Sequence, residues 1–120
     1  MIDDPAMTLI TAVIRPYMQG HVVQALHDLP DFPGFTFGEV RGQGRGRGQG
    51  GAYVPDRDLT YHQFVELRLI CRSELADEIC GLIATAAWTG RKGDGVVFTT
   101  PVHAFARIRE IGRRPEKSDA

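Results

Sequence analysis

The order of hydrophobic patterns along the chain predicts an α+β domain, a ferredoxin-like βαββαβ sandwich with one extra strand. Three observations carry this. Val65, Leu67 and Leu69 alternate with Glu66 and Arg68, which is the period of a strand with one dry face and one wet face. Two runs, Gln19–Leu29 and Ser73–Trp88, carry apolar residues at helical spacing. Each of these runs is preceded and followed by β-rich sequence, so the halves repeat as strand, helix, strand.

The elements follow in order. Residues 1–6 read as a loose tail. Thr8–Ile14 is β-rich and ends at Arg15-Pro16, because the residue before proline is pushed out of helical space. In Gln19–Leu29 the residues Val22, Ala25, Leu26 and Leu29 fall on one face. Two prolines and Gly34 then make a turn before a strand over Phe35–Arg41. Residues 42–51 hold six glycines in ten positions, which cannot keep a regular element because nothing apolar offsets the ordering entropy. This loop runs on to about Tyr61 and is expected to be mobile over about 45–60. A connection of that length inside a small domain is usually functional or disordered. Phe64–Cys71 is the next strand. Ser73 is placed as the N-cap of the second helix, with Leu75, Ile79, Leu82, Ile83 and Ala86 as its buried stripe. A strand at Val96–Thr100, a break at Pro101 and a last strand at Val102–Ile108 complete the pattern. The tail from Gly112 is charged and expected to be loose.

Composition narrows the class. A chain of 120 residues with 42% apolar and 24% charged residues fits one globular domain over 1–120. A net charge of -1 argues against a general polyanion binder. No apolar run approaches the roughly 20 residues of a membrane helix, and the acidic N-terminus lacks the pattern of a signal peptide. A cytoplasmic protein is expected. Cys71 and Cys80 are expected to be reduced thiols rather than a disulfide or a metal pair. The four histidines show no metal spacing.

Chemistry concentrates in Thr89–Gly95, where three glycines fall in seven residues. Such a loop can present successive N–H groups to an anion, here Gly93, Asp94 and Gly95. The alternative is a plain turn after a helix end, with Asp94 as its cap. Arg107 and Arg109 stand two apart in the expected last strand, so both point to one face, and their forks suit phosphate oxygens. The bland reading is two solvated arginines.

Taken together, Thr89-Gly90-Arg91-Lys92-Gly93-Asp94-Gly95, then Val97-Phe98, then Arg107-Ile108-Arg109 resemble the B-loop and C-terminal strand of the PII signal-transduction family. Ile14-Arg15-Pro16 resembles its opening strand and turn, and Glu39-Val40-Arg41-Gly42-Gln43-Gly44-Arg45 the entry to its long T-loop. The resemblance spans about residues 7–111. It implies a homotrimer with adenine nucleotide sites in clefts between subunits, signalling to a protein target through the T-loop. By resemblance the nucleotide site takes Val13, Thr36, Gly42, Gln43, Gly44, Arg45, Ile70, Gly93, Asp94, Gly95, Arg107 and Arg109, the two last coming from the neighbouring subunit. Val13, Thr36 and the backbone of Ile70 match positions that hold the adenine.

The departures matter as much. Val96 stands where the family has a phosphate-binding Lys, which favours ADP or AMP over ATP. Gly46 replaces the Gln that ligates Mg²⁺ in members sensing 2-oxoglutarate, and the Lys at the far end of the loop is absent from His62-Gln63-Phe64. 2-Oxoglutarate binding is therefore not expected, and neither is uridylylation, because Gly51-Ala52-Tyr53 matches only distantly the Arg-Gly-Ala-Glu-Tyr that carries the modified tyrosine in some members. Arg45, Gly46 and Arg47 would suit a small anion, and bicarbonate is the candidate. The pattern then resembles carboxysome-associated PII-like proteins, which combine adenine nucleotides with bicarbonate. No metal, no catalytic residue and no enzyme activity are expected. The alternatives are a nitrogen-regulatory PII protein acting on a transporter or enzyme, with membrane contact only through a transporter target, and a phosphate-loop hydrolase. Nucleic-acid binding through Arg45-Gly-Arg47-Gly is disfavoured by the net charge, and a trimeric metal-stress protein by the scattered histidines.

Overall fold

The computed structural model describes residues 6–44 and 61–115. The expectations for residues 1–5, for 45–60 and for 116–120 lie outside the described residues, and with them those for Arg45, Gly46 and Arg47. The elements are β1 (Met7–Ile14), α1 (Gln19–His27), β2 (Thr36–Gly42), β3 (His62–Arg72), α2 (Ala76–Ala87), β4 (Gly95–Val102) and a one-turn helix α3 (Ile108–Ile111). A 3-10 turn leads into each long helix, at Pro16–Met18 and Ser73–Leu75. The four strands form one antiparallel sheet in the order β2-β3-β1-β4.

Side-chain alternation decides what the sheet packs against. Ile10, Ala12 and Ile14 of β1, with Val65, Leu67, Leu69 and Cys71 of β3, point to the helices. They meet Val22 and Leu26 of α1 and Ala76, Ile79, Ile83 and Ala87 of α2, all buried. Full burial of Ile10, Leu26, Leu67, Ile79 and Ile83 stabilises the fold by about 1.5–3 kcal/mol each. The opposite sheet face carries Leu9, Thr11, Val13, Glu66, Arg68, Ile70, Val96 and Phe98. No long helix of the described residues covers it, and Val96 and Phe98 remain 59% and 50% exposed.

Four sequence expectations are corrected. The break at Pro101 does not occur: β4 runs through it to Val102. Strand β4 lies at the sheet edge, paired only with β1, so the missing N–H of Pro101 can face outward at no cost to the ladder. The extra strand at Val102–Ile108 is absent, because β4 ends where its partner does, with Val102 opposite Met7. Beyond that rung the segment 103–107 forms no ladder with the described residues, and the chain turns into α3. Ser73 does not cap α2. Arg72 holds the extended position before the 3-10 turn. The hydroxyl of Ser73 instead shares a 2.6 Å hydrogen bond with Thr8, and its N–H donates to the carbonyl of Ala6. This ties the exit of β3 to the start of β1. Helix α1 stops two residues early, at His27, with Asp28 as C-cap ahead of Pro30.

Candidate functional site

The glycine loop between α2 and β4 is built around one carboxylate. Asp94 Oδ2 accepts from the N–H groups of Thr89, at 2.7 Å, and Gly90, at 3.1 Å. Asp94 Oδ1 accepts from the Thr89 hydroxyl and from Arg15 Nε at 3.3 Å. Thr89 Oγ1 in turn accepts from the N–H of Arg91. The Thr89 hydroxyl, then the Thr89 and Gly90 amides and Arg15, hold the Asp94 carboxyl down at about 2. Asp94 is therefore the cap of the loop, the bland reading of that residue. The N–H groups of Thr89, Gly90 and Arg91 are turned inward by this network. The N–H groups of Lys92, Gly93 and Asp94 take no part in this network and are left for an external anion.

Two backbone constraints fix the loop's place. Gly95 has φ +112° and lies against the carbonyl of Val13, where any Cβ would overlap the oxygen. Gly93 has φ +84°, with the Arg15 guanidinium 3.0 Å from where a Cβ would stand. Arg15 also donates through Nη2 to the carbonyl of Lys92. Arg15 thus grips the loop from below at two points. The sequence places Arg15 at the turn before Pro16, and nothing local in it points to a partner so distant along the chain.

A second concavity lies at the other end of the sheet. A cleft of about 420 Å³ is lined by Thr36 of β2, Arg68 and Ile70 of β3, Leu9 of β1, and Phe105 and Arg107 from the segment after β4. Pro33, Gly34 and Phe35 close one side. Its floor is mostly apolar, and its cations are Arg68 and Arg107. Phe105 packs under the Arg107 guanidinium at 5.5 Å, a cation–π contact that aims the fork. Leu9, Phe35, Arg68 and Phe105 were not singled out from the sequence. Arg68 read only as the wet half of a strand alternation.

The candidate residues therefore sort into two groups. Thr36, Ile70 and Arg107 come together in the cleft. Gly93, Asp94 and Gly95 lie at the opposite end, as do Val13, beside Gly95, and Gly42, opposite His62 at the end of β2. Gln43 and Gly44 follow Gly42 directly. Gly95 pairs with Ile14, whereas the cleft includes Leu9, five residues back along β1. At ~3.4 Å per residue the two groups are about 17 Å apart. Arg107 and Arg109 do not share a strand face, which corrects the expectation. Arg107 is extended at the N-cap of α3, its carbonyl accepting from Glu110 and Ile111, while Arg109 lies within that helix and does not line the cleft.

Cys71 is buried and Cys80 half-buried, both as free thiols. Burial pushes both thiols up.

Comparison with known proteins places these features. The family model described as "Nitrogen regulatory protein P-II" matches residues 7–111. The nitrogen regulatory protein P-II of Azospirillum brasilense is 35% identical over 108 residues, covering 86% of this chain and 92% of that protein. The nitrogen regulatory protein GlnK of Escherichia coli K12 is 30% identical over 104 residues, with the same coverage of each chain. A P-II protein of Microchaete diplosiphon is 34% identical, again over 104 residues. Among solved structures, Arabidopsis thaliana PII bound to citrate superposes with a TM-score of 0.70 at 25% identity, covering 97% of this chain and 94% of that one.

Proposed function

The chain belongs to the nitrogen regulatory protein P-II family, a family of regulators rather than enzymes, and on that premise we propose that it binds an adenine nucleotide between copies of itself and signals through its T-loop. One observation carries the reading. The residues matched to the nucleotide site fall into two groups about 17 Å apart on one chain, which a site shared between neighbouring copies would bring onto a single ligand. The cleft offers an apolar floor for a base and an arginine for phosphate. The loop tip offers free N–H groups. The uncovered sheet face, with Phe98 half exposed, supplies apolar surface for a homotrimer to bury.

Val96 carries the preference for ADP or AMP. It is the second residue of β4, directly after Gly95, and brings no charge to a third phosphate. The fold places its side chain on the same uncovered face as Val13, opposite it in register.

Two readings of the signal remain, and they differ in the effector. The names of the relatives favour nitrogen regulation. The sequence of the T-loop favours a small oxyanion, because Gly46 has no ligand atom for Mg²⁺ while Arg45 and Arg47 pair planar anions bidentately. We take the second, with bicarbonate as the candidate and inorganic-carbon metabolism as the setting. Calorimetry tests it. ADP is expected to bind the free protein, and bicarbonate the ADP-loaded protein. Binding of 2-oxoglutarate with Mg²⁺ in place of bicarbonate would move the protein to the nitrogen reading. No binding of ADP, AMP or ATP would end the nucleotide reading altogether.

A further inference from the structure

We infer that Arg68 is a phosphate-binding residue of the cleft, acting with Arg107 as a two-arginine grip on the anionic end of an adenine nucleotide. This rests on the nucleotide reading above and adds a residue to it.

The placement comes from the strand register. Arg68 lies on β3 between Glu66 and Ile70 on the uncovered face, directly opposite Thr36 on one side and Thr11 on the other. Side chains at such paired positions have Cβ atoms about 5 Å apart. The Thr36 hydroxyl and the Arg68 stem therefore share one wall of the cleft, and Arg107 stands on its rim from the segment after β4.

The charge balance is what asks for an anion. Arg72, the next arginine along β3, is matched by Asp31 and Glu74. Arg107 has only a long contact to Glu110, at 3.9 Å and well exposed. Arg68 has no ion pair among the described residues. Its one acidic neighbour on the same face, Glu66, lies outside the cleft lining. Two guanidiniums thus enter one small, mostly apolar cleft with no carboxylate among its lining residues. An anion placed between them accepts from both forks and offsets their like charge. An apolar floor beside a dicationic end fits an amphiphile with a flat base and a phosphate, rather than a free inorganic ion.

The role makes Arg68 a determinant of ligand charge. A nucleoside without phosphate should not register it, whereas a nucleotide should. The test is calorimetry of the full chain at fixed low salt with ADP, adenosine and pyrophosphate as probes. The variants are Arg68→Ala, Arg68→Lys and Arg107→Ala. Arg68→Ala is expected to weaken ADP about tenfold or more, to leave adenosine within about twofold, and to be partly rescued by Arg68→Lys. Pyrophosphate is expected to bind far more weakly than ADP. Because the Arg68 side chain lines the cleft and not the helix-side core, the variants should fold, and an unchanged melting temperature verifies this. If Arg68→Ala binds ADP like the parent while Arg107→Ala does not, the role of Arg68 is overturned and the nucleotide reading stands. Equal losses for ADP and adenosine would overturn a charge-specific role. Pyrophosphate binding as tight as ADP would mean a free phosphate site. A parent that binds no adenine nucleotide overturns both readings together.

Discussion

The carboxylate of Asp94 and the guanidinium of Arg15 meet at 3.3 Å although 79 residues separate them along the chain. The contact joins the end of the first strand to the loop that follows the second helix. It makes the loop's shape a property of the tertiary fold and not of its glycines alone.

The first prediction concerns acid. Asp94 titrates at about 2 in the folded protein, against about 3.9 for an unfolded Asp. A depressed folded value means that the charged form is favoured by folding. Its stabilising effect is present above about pH 4 and is lost as the pH falls through about 2. Asp94→Asn should lower the melting temperature at pH 7 by a few degrees, and the difference from the parent should shrink between about pH 4 and pH 2. Thermal melts of both proteins across that window check it. A constant gap down to pH 2 would mean that the carboxylate charge does not matter to the loop.

Gly95 should be the least replaceable residue of the loop. Its φ of +112° is strained for any other residue, and a Cβ would overlap the Val13 oxygen. Gly95→Ala should cost about 1–3 kcal/mol from backbone strain alone, with the overlap in addition. Gly81, on the exposed face of α2, has open space around it. Gly81→Ala should stabilise by up to about 1 kcal/mol through helix propensity. Urea denaturation of the pair gives the two signs directly.

How much of this was legible beforehand depends on the range of the interaction. The four principal strands and two long helices follow from local periodicity, and all appear within two or three residues of their expected bounds. The failures are non-local. Pro101 reads as a break until the edge position of β4 is known. The last strand is absent where the β1–β4 ladder ends, at Met7 opposite Val102, which no window around residues 102–108 reveals. Arg107 and Arg109 lose their shared face for the same reason. In the site, Asp94 as a loop cap is local and was readable. Arg15 and Arg68 acquire their roles from strand register, so a strand read in isolation shows them only as polar residues.

Val96 offers a gain of function. It stands exposed at the start of β4, directly after the loop. Val96→Lys adds a cation beside the proposed phosphate path without disturbing the core. A charge-assisted contact of ~1.5–3 kcal/mol should raise ATP affinity about tenfold or more, with AMP changed little. Competition of the three nucleotides against a fluorescent ADP analogue measures the shift. An equal gain for AMP would place the new charge at the first phosphate instead.

The last prediction follows from the two half-sites. Arg107→Ala disables the cleft. Gly42→Val fills the opposite half-site, and the fold tolerates it, since nothing lies within 4 Å of a Cβ built there. Each variant alone should bind ADP poorly, because every site in a homotrimer of either one contains a damaged half. Unfolded together and refolded as a mixture, the two should recover binding. In a cyclic trimer with each site shared by two neighbours, every mixed assembly holds one site made of two intact halves. Random mixing then restores about a quarter of all sites. If both halves of a site came from one chain, every chain in the mixture would carry a defect and no site would be restored. Calorimetry with ADP on the refolded mixture, sized by light scattering, separates the two cases by stoichiometry and not by affinity. A fractional stoichiometry near a quarter, with parental affinity, is the expected result. Zero recovery from well-formed mixed trimers would mean that one chain completes the site by itself.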